Sequence, residues 1–232
     1  MAVDRHIVAI GGGGFGRNPN NPIIEEYILN LSSTKNPTIT FFPTASAENS
    51  DYIVNFYTAF SKLNCNAQHI SLFKNTPDLE LIIEQSDIIY VGGGNTKSML
   101  AVFREWDLDK LILKAYQDGK ILAGVSAGAI CWFNKGITDS WEDRLRVLDC
   151  MNILNGTCCP HYDGEANRKP SVRHFLESKE IDSCYCIEDG AALHYENENI
   201  KTAVSFYENK NAYKVRYDGD SLVETPINKI EI

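Results

Sequence analysis

The chain has 232 residues, 44% hydrophobic and 23% charged, a balance that excludes disordered and collagen-like classes and allows one substantial buried core. A net charge of −9 without any lysine- or arginine-rich run makes nucleic acid and anionic membrane poor partners, because both are held by concentrated positive charge. No apolar run is long enough to cross a bilayer, and seven cysteines behind an N-terminus without a signal-peptide layout predict a cytoplasmic protein with no disulfide framework.

Residues 6–10 form a short apolar run, read as a strand, that enters Gly11, Gly12, Gly13, Gly14, Phe15 and Gly16. Gly11, Gly13 and Gly16 satisfy G-x-G-x-x-G, but a dinucleotide site also needs a helix opening directly from the loop and an acidic residue ending the next strand. Here Pro19 and Pro22 intervene, and the next strand, residues 38–42, ends in Pro43 and Thr44. The glycines are better read as letting the backbone pass close to a substrate or to neighbouring strands.

Residues 22–31 and 52–63 carry apolar side chains at helical spacing. Residues 69–72 read as a short strand, 79–85 as a short helix, and 87–91 as a buried strand entering Gly92, Gly93 and Gly94. A helix begins over 99–104, and another spans 108–118 before Gly119 ends it. Strands separated by helices predict an α/β fold with a doubly wound, mostly parallel sheet and helices on both faces. Ligands in such sheets sit beyond the carboxyl ends of the strands, where three glycine-rich stretches, 11–16, 92–94 and 124–128, would meet.

After Phe133 the pattern breaks into short pieces, 137–141, 147–151 and 155–159, joined by polar residues, which predicts a loop-rich region beside the site. Residues 171–177 look helical and 184–188 form a strand. Short antiparallel strands follow over 191–194, 201–207 and 213–217, with turns at 197–199 and 218–219. No repeat or linker interrupts the chain, so residues 1–232 read as one α/β domain.

The stretch KILAGVSAGAICW, residues 120–132, reads as strand, tight turn and helix. Gly124, Val125, Ser126, Ala127 and Gly128 fill G-x-S-x-G, in which small flanking residues let a strained turn raise one hydroxyl above the sheet edge. Ser126 is the candidate nucleophile, and a helix starting just after it leaves unpaired N–H groups where an oxyanion would develop.

A serine needs a base, and histidine suits near-neutral pH. His6 and His69 begin strands, His174 lies in a helix pattern and His194 in a strand. His161, in CCPHYDGE, is held at a turn and is the candidate base. The base needs an orienting carboxylate. Asp139, in GITDSW, is the first choice; Glu142 and Asp143 read as exposed charges, Asp163 as a turn cap, and Glu165 follows it. Neither Cys158–Cys159 nor the Cys184, Cys186 pair has zinc spacing, and no metal or organic cofactor is called for.

GVSAGAICWF, VGGGNT and CPHYDGE, in that order, resemble the alpha-aspartyl dipeptidase (dipeptidase E) family, serine peptidases related to cyanophycinase. The resemblance runs from the first glycine loop to about residue 200. It implies a class I glutamine amidotransferase-like fold with serine at the elbow, Ser126 as nucleophile, His161 as base, and an oxyanion hole built from the Gly93–Gly94 turn and Ala127. The acid falls in the segment after the serine helix, which Asp139 occupies and where Glu142 stays open. An N-terminal aspartate needs a cation in the pocket, and Asn95, Arg168 and Arg173 are the substrate-binding candidates. The expected activity is hydrolysis of short peptides through an acyl-enzyme, by a monomer or homodimer. An esterase or amidase, or a non-catalytic binding protein on the same fold, is the alternative.

Overall fold

Side-chain alternation along the first strand decides how the sheet is covered. The computed structural model describes residues 4–232. In β1 (His6–Ile10), Ile7 and Ala9 pack on one face of a sheet and Val8 and Ile10 on the other, all fully buried. A strand apolar on both faces must be covered on both. β4 (Ile88–Val91) and β5 (Ile121–Val125) are buried throughout in the same way. With β2 (Thr38–Phe42) and β3 (Asn66–His69) they form a parallel array in the order β1, β5, β4, β2, β3. α1 (Ile23–Leu29) and α2 (Ser50–Phe60) cover one face, and α3 (Leu79–Gln85), α4 (Thr96–Glu105) and α5 (Leu108–Gln117) cover the other.

After α6 (Ala127–Ile130), a helix of only four residues, the chain leaves this sheet and builds a second one. Its strands are β6 (Phe133–Thr138), β7 (Arg146–Asp149), β8 (Leu154–Cys159), β9 (Cys184–Ile187), β12 (Ala212–Tyr217) and β13 (Leu222–Pro226), in the order β13, β12, β9, β8, β6, β7. Phe133, Leu154, Cys158 and Ala212 join the core shared with α3 to α5, while α7 (Arg168–Glu177) covers the opposite face through Val172, Phe175 and Leu176. β10 (Ala191–Glu196) returns to the first sheet antiparallel to β1, followed by β11 (Asn199–Ser205) and β14 (Lys229–Glu231). The antiparallel C-terminal strands are therefore divided between both sheets.

The region expected to be loop-rich after Phe133 is instead this second sheet. Its strands are short, and β7 has no buried residue, so no apolar alternation marks them. The strand expected at 69–72 lies three residues earlier. β3 is a half-exposed edge strand with polar Asn66, Gln68 and His69 around Ala67, and the apolar Ile70 and Leu72 are buried just beyond it. Among the described residues no helix is long and apolar enough to cross a membrane.

Register sets the site. Ile10 pairs with Val125 and Val91 with Gly124, so the residues after three parallel strands emerge together at one sheet edge.

Candidate active site

β5 ends at Val125, Ser126 takes φ 56° and ψ −110°, and α6 begins at Ala127. Such a backbone costs about 1–3 kcal/mol at a non-glycine residue and persists only where the surroundings enforce it. The enforcement here is close packing of main chain. A Cβ at Gly124 would meet the carbonyl of Gly128, and one at Gly128 would meet the carbonyl of Val91. The Ser126 N–H donates to the Ile10 carbonyl at 3.0 Å, which pins the turn to β1.

His161 follows β8 and also has positive φ, 53°. Its carbonyl accepts from the N–H groups of Gly164 and Glu165, and the next residue, Tyr162, donates its N–H to the Ile187 carbonyl at the end of β9. His161 Nε2 lies 2.9 Å from Ser126 Oγ, and His161 Nδ1 lies 2.5 Å from Asp189 Oδ1. An ionised carboxylate only accepts, so Nδ1 carries the proton and Nε2 is left to accept from the serine hydroxyl. Burial alone would push Asp189 up, but its hydrogen bonds and charge pairing with His161 and Arg17 outweigh this and hold it down at about 2. The Asp189 N–H donates to Asp163 Oδ1 at 2.9 Å, so Asp163 braces the turn that presents this carboxylate.

The structure thus brings Ser126 and His161 together and places Asp189, not Asp139, on the imidazole. Asp139 points at Arg168, 3.7 Å away, with its side chain largely exposed, and Glu142 is exposed. Asn95 caps α4: its Oδ1 accepts from Ser98 N–H and its Nδ2 donates to the Ser140 carbonyl, so both polar ends are engaged in structure. Arg168 is buried, donating to Glu165 and the Ile137 carbonyl, while Arg173 pairs with Glu177 on the surface. None of Asn95, Arg168 and Arg173 lines the cavity at Ser126. The N–H of Gly93 is engaged too, donating to the Tyr52 hydroxyl at 3.3 Å.

That cavity, about 350 Å³, is walled by Gly13, Arg17, Tyr52, Gly94, Ser126 and His161. Arg17 Nη1 sits 2.5 Å from Asp189 Oδ2 with most of its side chain exposed. Sequence reasoning missed Arg17, which follows the glycine loop, and Tyr52, in the first turn of α2. α1 begins only at Ile23 and does not open from the loop.

Beneath the loop lies Glu25, fully buried, with Oε1 accepting from the Phe15 N–H at 2.7 Å and Oε2 without a partner among the described residues. Burial raises this carboxyl to about 7, and the hydrogen bonds to it only partly offset that. The folded chain keeps the proton up to about 7, whereas the unfolded chain releases it near 4.5. The native state therefore binds more protons in that window, and stability falls as pH rises through it. Glu25→Gln keeps the acceptor for Phe15 and removes the penalty. Urea unfolding is expected to show the variant more stable than wild type at pH 8, by up to about 3 kcal/mol, with the difference shrinking to about 0.4 kcal/mol at pH 4.5 and vanishing below it. A difference independent of pH would contradict this.

A doubly wound sheet whose central strand ends in a sharp serine turn, with an imidazole and a carboxylate in line behind it, has the architecture of a serine hydrolase. The chain belongs to peptidase family S51, whose family model matches residues 7–203, and it is a peptidase. It is 43% identical to the uncharacterized peptidase YgaJ of Bacillus subtilis (strain 168) over 96% of this chain and 97% of that one. It is 27% identical to peptidase E of Pasteurella multocida (strain Pm70) over 74% and 76% of the two chains. The crystal structure of a peptidase from an acI-B1 actinobacterium superposes with a TM-score of 0.72 at 14% identity, covering 97% of this chain and 96% of that one, which shows the shared fold.

Proposed function

We propose that this peptidase hydrolyses short peptides with Ser126 as nucleophile, His161 as base and then acid, and Asp189 as the orienting carboxylate. The observation that carries the reading is the 2.9 Å approach of Ser126 Oγ to His161 Nε2 at the cavity, with Asp189 behind the ring. His161 takes the serine proton as Oγ attacks the peptide carbonyl, and returns it to the departing amine. An acyl-enzyme remains, which water cleaves by the reverse proton path. Ala127 N–H opens α6 without an intrahelical acceptor and suits the developing oxyanion.

A cavity of about 350 Å³ lies at the low end of ordinary ligand pockets, about 300–1,000 Å³, and suits a short peptide. Arg17 is the cationic side chain on its wall, so dipeptides with N-terminal aspartate are the first substrates to test. A fluorophosphonate is expected to label the wild type and not Ser126→Ala, and a dipeptide library should be turned over by the former alone. Turnover that survives in Ser126→Ala would sink this reading.

A further inference from the structure

Tyr52 is held at the first turn of α2, where its N–H donates to Asn49 Oδ1 at 3.0 Å. Its ring packs edge-on to Phe41 and tilted against Phe15, with centroids 5.2 Å away in each case. The two glycine loops grip it from opposite edges. A Cβ at Gly16 would stand 2.8 Å from its Cε2, and one at Gly92 3.0 Å from its Cε1, so both loops are cut back to admit the ring. The ring's position is fixed by packing rather than by its hydroxyl.

The hydroxyl accepts the Gly93 N–H and, among the described residues, makes no other hydrogen bond. Its proton is therefore free to be donated. Gly93 borders the serine: a Cβ there would lie 3.3 Å from Ser126 Cβ and 3.8 Å from its Oγ. Tyr52, Ser126 and His161 line the same cavity. Burial pushes the phenol up to about 12, with the Gly93 bond only partly opposing it, so the hydroxyl keeps its proton at any working pH.

We infer that the Tyr52 hydroxyl, polarised by the Gly93 N–H behind it, is an oxyanion-hole donor, and that Gly93 acts through it rather than on the substrate. One N–H cannot serve the phenol and a new oxyanion equally, whereas a chain N–H to O–H to oxyanion strengthens each link. No bond is made or broken at Tyr52: its O–H donates to the carbonyl oxygen as negative charge gathers there, and relaxes when the carbonyl re-forms. A preorganised donor of this kind is worth about 10²–10³-fold in kcat.

The inference rests on the serine-peptidase reading, and the test separates the two. Tyr52→Phe keeps the ring between the glycine loops, and its melting temperature is expected to stay within a few degrees of wild type. Its kcat should fall about 10²-fold with KM nearly unchanged. A peptide aldehyde, which forms a tetrahedral adduct with serine, should lose affinity by a similar factor, while a non-reactive product peptide binds as before. Wild-type kcat and aldehyde affinity in Tyr52→Phe, with activity lost in Ser126→Ala, would overturn the role of Tyr52 alone, because a freed Gly93 N–H would then suffice. So would a change confined to KM. Activity retained in Ser126→Ala would overturn both.

Discussion

Asp189→Asn is expected to lower kcat about 10³–10⁴-fold while leaving the fold intact, and Asp139→Asn to leave kcat within about twofold of wild type. The carboxamide has the size of the carboxylate, but its NH₂ group would face His161 Nδ1, or its oxygen would hold the ring without a charge to balance the imidazolium. Asp189 is ionised across the accessible range because His161 and Arg17 hold it at about 2, so it supplies a fixed negative charge, not a proton carrier. Asp139 lies at the mouth of the Arg168 cluster and touches nothing in the cavity. Dipeptide hydrolysis by the two variants, with circular dichroism as the check on folding, decides between the carboxylates. Equal losses would mean that the imidazole is not oriented from Asp189.

The serine and the histidine were legible because each carries its own local signature: G-x-S-x-G between an apolar strand and a helix, and an imidazole after Cys-Pro at a strand end. The carboxylate beside His161 has no such signature. It reaches His161 only because β8 and β9 lie side by side in parallel, with Cys159 opposite Cys186, so that His161 and Asp189 follow two and three residues further along neighbouring strands. That pairing belongs to the second sheet, whose short and partly exposed strands hid it. The sequence offered one clue, a carboxylate followed by glycine at the end of the apolar run CYCI, but a turn explains the same letters. Arg168 and Arg173 show the opposite limit. A charge's residue type says nothing of whether helix α7 turns it into the core, onto the surface or toward a substrate. Tyr52 opens the run 52–63 read as a helix, and its ring does pack against the apolar core there, but nothing in the sequence shows that its hydroxyl accepts the Gly93 N–H beside Ser126.

Gly12→Ala should abolish most activity without unfolding the protein, although residue 12 makes no side-chain contact and belongs to the loop that imitates a dinucleotide fingerprint. Gly12 is not among the residues with positive φ, so alanine suits its backbone. Its carbonyl accepts the Gly190 N–H at 2.8 Å, which draws the turn carrying Asp189 against the loop. A Cβ at this position would run into Asp189 Oδ1 and stand 2.7 Å from His161 Nδ1. The atoms in its way are the ends of two side chains, which can swing aside, and not main chain. The fold therefore accommodates the methyl, while the seam between imidazole and carboxylate opens by about an ångström. Displacements of that size cost about 10²-fold or more in rate. We expect kcat to fall about 10²–10³-fold with the melting temperature within a few degrees of wild type. The double variant Gly12→Ala/Asp189→Asn should be no slower than Asp189→Asn, because both changes disable the same contact and their effects cannot add. Multiplicative losses in the double variant, or near-normal activity in Gly12→Ala, would show that the loop does not govern the His161–Asp189 pair.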